Sequence, residues 1–198
     1  MKFKFTSKLS PPIIDQIVSI HMKLLKESFL TCFGLKFLKV FYNALREDKN
    51  SIVIVAIDHT RKPVVAGFLI ALKSAKSSQK ELLRKNFLQL ALPMLSTFIK
   101  NPILIFTCFI GLLNQAQKDE AQLQFLAVDS LYQRSGLGTK MVTMLSQELK
   151  KKGIKSYAIA VEIKNRGANN FYKKIGCLLL QKEKIFHSTR NIYLYEIP

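Results

Sequence analysis

Gln133-Arg134-Ser135-Gly136-Leu137-Gly138-Thr139-Lys140 is the stretch whose reading decides the fold. An apolar run, Leu123 to Val128, leads into it across Asp129 to Tyr132 and has the look of a strand. Met141 to Leu149 leads out of it at helical spacing. Gly136 and Gly138 carry no Cβ to obstruct a ligand, and a helix beginning there offers unbonded amides and its positive end. This is an anion cradle, most simply for a diphosphate. Two nucleotide readings fail on spacing. A Walker loop requires Gly-Lys-Ser/Thr, but Thr139 precedes Lys140 and Met141 follows it. A dinucleotide fingerprint requires a third glycine where Met141 stands.

Upstream, Pro11-Pro12 opens a helix with Ile13, Ile14, Ile17, Ile20, His21, Leu24 and Leu25 at helical spacing. Glu27 to Gly34 breaks the pattern, and Leu35, Leu38, Phe41, Tyr42 and Leu45 begin a second amphipathic helix. Ser51 to Ile57 is a β-branched strand, joined across the polar Asp58 to Pro63 to a partner, Val64 to Leu72. Gly67 within the partner marks a bulge or a close backbone approach. Downstream, Lys150-Lys151-Lys152-Gly153 closes the long helix, and Tyr157 to Val161 is a strand. Asn165 to Lys174 is a short helix ended by Gly176. Cys177 to Leu180 and Ile192 to Ile197 are closing strands.

The 198 residues suggest one domain, 1–198, without internal repeats. A hydrophobic content of 48% and a charged content of 22% exclude a disordered chain. Cys32, Cys108 and Cys177, odd in number and in apolar settings, fit reduced cysteines and a cytoplasmic protein. Cys177 reads as a small buried hydrophobe rather than a nucleophile. Met1 to Ser10 has no apolar run of signal-peptide length, and His21, His59 and His187 form no metal-binding pattern, so no metal is expected. The net charge of +18 predicts a field that attracts anions, yet no nucleic-acid-binding signature accompanies it, and no nucleic-acid partner is expected.

The spacing Gln133-x-x-Gly136-x-Gly138 resembles the coenzyme A pyrophosphate loop of the GNAT acetyltransferase superfamily. A second motif, Val161-x-x-x-Asn165-x-x-Ala168-x-x-Phe171-Tyr172-x-x-x-Gly176, is similar to that family's other cofactor-side motif and lies in the right order behind a strand. The order of elements matches the family over nearly the whole chain. The resemblance implies a mixed α/β (α+β) fold: a central, mostly antiparallel sheet with two splayed parallel strands, flanked by helices. It implies acetyl-CoA as cosubstrate and direct transfer of the acetyl group to a primary amine. Gln133, Arg134, Ser135, Gly136, Leu137, Gly138, Thr139 and Lys140 would bind the pyrophosphate through main-chain amides. Leu126, Ala127 and Val128 would meet the pantetheine arm, and Asn165 would contact it from the short helix. Tyr172 is the expected general acid for the departing thiolate. A general base is less plainly marked, and Glu162 is the first choice. Cys177 departs from the usual Gly-Phe of the pattern.

About 45 residues separate the hairpin from the key strand, far more than an ordinary loop. This insertion, about 74–118, is expected to be helical and apolar: either a lid on the sheet or a surface docking on an anionic membrane. Phe29, Leu30 and Phe33 are candidate acceptor contacts. The expected acceptor is a small-molecule amine or amino sugar, and an amino sugar on an anionic carrier, such as an envelope-glycan precursor, or the amine of an acidic protein suits the positive field better than a polyamine does. The alternatives are a non-catalytic coenzyme A-binding regulatory protein and a basic membrane-surface binder. A monomer and a homodimer are both compatible with the sequence.

Overall fold

Residues rich in β-branched and aromatic side chains line up as neighbours in one seven-stranded sheet, ordered β1-β2-β3-β4-β5-β7-β6. The strands are β1 (Phe3–Thr6), β2 (Ser51–Asp58), β3 (Val64–Leu72), β4 (Gln122–Val128), β5 (Ser156–Glu162), β6 (Leu178–Ile185) and β7 (Ser188–Glu196). The helices are α1 (Pro11–Leu24), α2 (Gly34–Glu47), α3 (Leu137–Lys150) and α4 (Arg166–Lys174). This computed structural model describes residues 3–26, 28–60, 62–74, 84–86, 88–95, 97, 120–185 and 188–198. All strand pairings are antiparallel except β4 with β5, as expected for the splayed pair.

The sheet divides two apolar layers. On one face α1 and α2 pack Ile14, Ile17, Leu38, Tyr42 and Leu45 against Val55, Phe68 and Ile70. On the other, α3 and α4 pack Met141, Leu145, Leu149 and Tyr172 against Leu69, Ile159 and Tyr193. Full burial of such side chains contributes roughly 1.5–3 kcal/mol each before entropy is counted. Helix α1 starts behind Ser10, in extended backbone, with proline in its first turn, where a missing N–H costs nothing.

Several bounds differ from those expected. Strand β1 is an additional edge strand: Phe3 and Phe5 alternate with Lys4 and pair with Asp58 and Ala56. Helix α3 begins at Leu137 rather than Met141, directly behind the left-handed Gly136. Strand β6 starts after Cys177 and runs to Ile185, and β7 starts at Ser188, because the two form one long hairpin. Gly67 satisfies both readings of its role. The register slips beside it, and a Cβ there would lie 2.8 Å from the Ala127 carbonyl oxygen, inside van der Waals contact.

The expected insertion lies mostly outside the described residues, as does Glu27. Residues 84–86 and 88–95 are helical. Leu90 and Met94 turn into the α1–α2 core, while Leu88, Leu92 and Leu95 are exposed. Among the described residues no helix is long and apolar enough to cross a membrane.

His21 sits in this core at 0% exposure. Its Nδ1 is 2.6 Å from the Tyr42 hydroxyl, and its Nε2 is buried without a partner. Burial pulls its pKa from 6.5 down to about 4. The unfolded chain therefore holds more protons than the folded one between those values. Stability from the neutral imidazole is complete above pH 6.5 and is lost as pH falls towards 4. The loss is about 3 kcal/mol. Urea midpoints measured at pH 7 and pH 5 should drop more for this protein than for a His21→Gln variant; equal drops would contradict the assignment.

Candidate active site

The site begins where two strands part. Strand β4 stays paired with β3 as far as Val128, but its ladder with β5 contains only Gln122–Ala158 and Leu123–Ile159. The next residue, Gln124, is the extra one where the β3–β4 register shifts, and such a bulge bends its strand and sharpens its twist. From there on Leu126, Ala127 and Val128 have β3 on one side and an opening on the other. Leu126 and Val128 pack on the α3–α4 layer, and Ala127 on the α1–α2 layer. The Val128 carbonyl is already occupied, accepting from Gln133 Nε2 at 3.0 Å.

The loop above the opening is held from several sides. The Tyr132 hydroxyl donates to Asp58 Oδ2 at 3.0 Å, tying the loop to the end of β2. The Thr60 amide and this hydroxyl hold the Asp58 carboxyl below its ordinary range. Ser135 Oγ donates to the Tyr132 carbonyl at 2.6 Å. Arg134 takes a left-handed φ of 61°, rare outside glycine, and Gly136 takes 79°. Together they bend the chain sharply, so that α3 starts with no side-chain cap and no acid in its first turn. Lys140 N donates back to Gly136 O at 3.0 Å, the first bond of the helix. The amides of Leu137, Gly138 and Thr139, which precede it, have no intrahelical acceptor. Of the amides expected in the cradle, Gln133 to Lys140, that of Lys140 is taken by the helix and these three are not. The Lys140 Nζ lies 5.0 Å over the Phe5 ring.

The opposite wall is α4. Asn165 is its N-cap, with Oδ1 accepting from Ala168 N at 3.0 Å. Phe171 reaches across to α3, so a Cβ on Gly138 would lie 3.4 Å from its ring. The two walls meet at this point. Tyr172, 5% exposed, lies beside Phe171, Tyr193 and Cys177 in the core of this layer. Burial above all, with Tyr157 and Cys177 adding, pushes its phenol well above the ordinary value of 10. Burial also pushes the Cys177 thiol up to about 11, which keeps it protonated and unreactive at neutral pH.

Glu162 ends β5, and its carboxylate is gripped by Arg190 of β7, Nε to Oε1 at 2.8 Å. Phe29, Leu30 and Phe33 lie in a short 3-10 segment, Phe29–Phe33, between α1 and α2. There Phe33 is buried against Phe37, with Phe29 and Leu30 packed beside it. The structure thus gathers the loop, β4 and α4 round one opening, while Phe33 lies in the core of the opposite layer with Phe29 and Leu30 partly buried against it. Arg190 and Asn169 were not singled out from sequence. A signal existed for Asn169: it is a polar residue three positions before Tyr172, on the same face of a short helix.

The residues fit a diphosphate-bearing ligand: free amides at a helix start, a glycine without side chain and no competing acid. Among the described residues no cluster of His, Cys, Asp and Glu could hold a metal ion. A model of the acetyltransferase (GNAT) family matches residues 19–177. Over 64 residues the chain is 38% identical to the ribosomal protein bS18-alanine N-acetyltransferase of Escherichia coli strain K12, spanning 32% of this chain and 43% of that relative's length. The PaiA N-acetyltransferase of Thermoplasma acidophilum, solved with coenzyme A, superposes with a TM-score of 0.63 at 12% identity, covering 99% of each chain. The ribosomal-protein-S18-alanine N-acetyltransferase of E. coli superposes with a TM-score of 0.56 at 16% identity, over 99% of this chain and 94% of that one. At such identities the structural likenesses establish the fold.

Proposed function

Since this chain belongs to the GNAT acetyltransferase family, we propose that it is an acetyl-CoA-dependent N-acetyltransferase whose acceptor is a primary amine. One observation carries the reading. The only parallel pair in the described sheet parts just ahead of a helix start whose amides lack intrahelical acceptors, and α4, which carries Tyr172, packs on the same layer. Leu137, Gly138 and Thr139 would hold the pyrophosphate with their amides. The free edge of β4 at Leu126 and Ala127 would bind the pantetheine amides as a strand binds its neighbour. Asn165, which caps α4, would contact the cofactor from the same side. Acetyl-CoA supplies the acetyl group as a thioester.

The chain's own chemistry then concerns two protons. The Tyr172 phenol keeps its proton at neutral pH, so it can donate a hydrogen bond where negative charge gathers on sulfur. Its raised pKa makes complete transfer of that proton unfavourable, and stabilisation is therefore its main role. Glu162 is the candidate to receive the proton of the attacking amine. Arg190 orients the carboxylate by one oxygen.

For the acceptor, we favour the α-amine of a protein N-terminus over a free amino sugar, on the likeness to a relative named for acetylating alanine of a ribosomal protein. The net charge of +18 draws either acceptor in if it sits among anionic groups. The test is thiol release from acetyl-CoA with two acceptor sets, peptides beginning with alanine and a panel of amino sugars. Faster release with the peptides is expected. Release with amino sugars alone would replace the acceptor named here.

A further inference from the structure

Beyond the Leu123–Ile159 pair, β4 and β5 could continue as a parallel ladder, which would satisfy their backbone groups and close the opening. The far end of β5 shows what prevents this. Asn169 of α4 is buried, and its Nδ2 donates to the carbonyls of Glu162 at 2.8 Å and Asn165 at 2.7 Å. A longer contact of 3.5 Å reaches the Ile163 carbonyl. Its Oδ1 accepts from Asn191 Nδ2 at 2.7 Å and from the Tyr193 hydroxyl at 2.9 Å. These partners fix which way the amide faces. Reversed, it would set its oxygen against two carbonyls and its NH2 against that of Asn191. Beside it, Ile163 N donates to Thr189 O at 2.9 Å, and Arg190 holds Glu162. The bonds to Glu162 and Ile163 tie the end of β5 to α4 and β7, on the side away from β4, and those to Asn191 and Tyr193 tie α4 to β7.

We propose that Asn169 is a positioning residue that sets the opening between β4 and β5 to the width coenzyme A requires, by clamping the end of β5 to α4 and β7. The proposal rests on the coenzyme A reading above. Three positions before Tyr172 on one helical face, the same clamp also fixes where that phenol stands; the Tyr172 and Tyr193 rings are 6.2 Å apart. An apolar residue of similar size would fill the space yet leave the buried Asn191 amide and Tyr193 hydroxyl without their acceptor and the Glu162 and Asn165 carbonyls without this donor.

The experiment is calorimetric titration of coenzyme A into the full chain and into Asn169→Leu, Asn169→Asp and Ile17→Val. Ile17 lies in the opposite core layer and serves as a control for a general loss of stability. Asn169→Asp keeps the acceptor for Asn191 and Tyr193, so it remains informative if Asn169→Leu does not fold. Both Asn169 variants should bind about tenfold more weakly, since misplaced contacts are costly at a built site. Amide hydrogen exchange should quicken at residues 162–166, and Ile17→Val should bind as the parent does. Lowering the pH should recover affinity in Asn169→Asp relative to the parent, as its protonated carboxyl regains a donor. Unchanged affinity in both Asn169 variants, or an equal loss in Ile17→Val, would overturn the clamp. No binding by the parent chain would overturn the coenzyme A reading and the clamp with it, and that arm alone distinguishes the two failures.

Discussion

Tyr172→Phe should lower turnover about 50-fold while leaving acetyl-CoA affinity within about twofold, because it removes one charge-assisted hydrogen bond worth about 2–3 kcal/mol. The ring is buried among Phe171, Tyr193 and Cys177, so phenylalanine fills the same volume and only the hydroxyl is lost. That hydroxyl has no hydrogen bond among the described residues, so its removal breaks no scaffold contact. The raised pKa adds a second expectation. Tyr172 should contribute no alkaline limb to the pH–rate profile at or below pH 10, since burial holds the phenol above that value. Steady-state kinetics across pH 7 to 10 checks both. Equal activity in the variant would remove the role. A limb near pH 10 that disappears in Tyr172→Phe would show a phenol less buried than the structure has it.

Gly138→Asp should abolish useful acetyl-CoA binding without unfolding the protein. The new Cβ would meet the edge of the Phe171 ring at 3.4 Å and Val128 Cγ2 at 3.9 Å, tight but ordinary contacts. A carboxylate in the first turn of α3 also favours the helix itself, because it faces the positive end of the dipole. The same charge would oppose a diphosphate held by the neighbouring amides. At about 5–6 Å and an effective dielectric of about 20, the repulsion is on the order of 3 kcal/mol, about 100-fold in affinity. Thermal melts of the free variant should match or exceed those of the parent, and calorimetry should show the affinity loss. A variant that binds normally would place the phosphates elsewhere.

How far the sequence could reach depended on the range of the interactions involved. The Gly136–Gly138 loop, the helices around it and the strands β2 to β5 were legible because each is written in local spacing: two glycines, a 3.6-residue period or a β-branched run. The parting of β4 and β5 was expected only through the family resemblance. The bulge that bends β4 there, the extra residue at Gln124 opposite Ile70 and Ala71, depends on strand register across more than 50 positions and leaves no local mark. Register likewise brings Arg190 to Glu162 and Asn191 to Asn169, joining residues more than 20 positions apart. Phe3 and Phe5 show the reverse case. Their alternation with lysine is strand-like, but four residues at an edge carry too little pattern to be read alone. The Lys140 amide, part of the stretch the resemblance implies, serves the helix instead, which spacing alone does not show.

The central claim is that the opening between β4 and β5, beneath the free amides of Leu137 to Thr139, holds acetyl-CoA. Thermal unfolding with and without acetyl-CoA tests it most directly. At a ligand concentration 100 times the dissociation constant, a ligand specific for the folded state adds about 2.7 kcal/mol. For a chain of this size that is a rise in Tm of roughly 5–10 °C. The account predicts that rise for the parent chain and its loss in Gly138→Asp at the same concentration. No rise in the parent at millimolar acetyl-CoA, or an equal rise in Gly138→Asp, would contradict it.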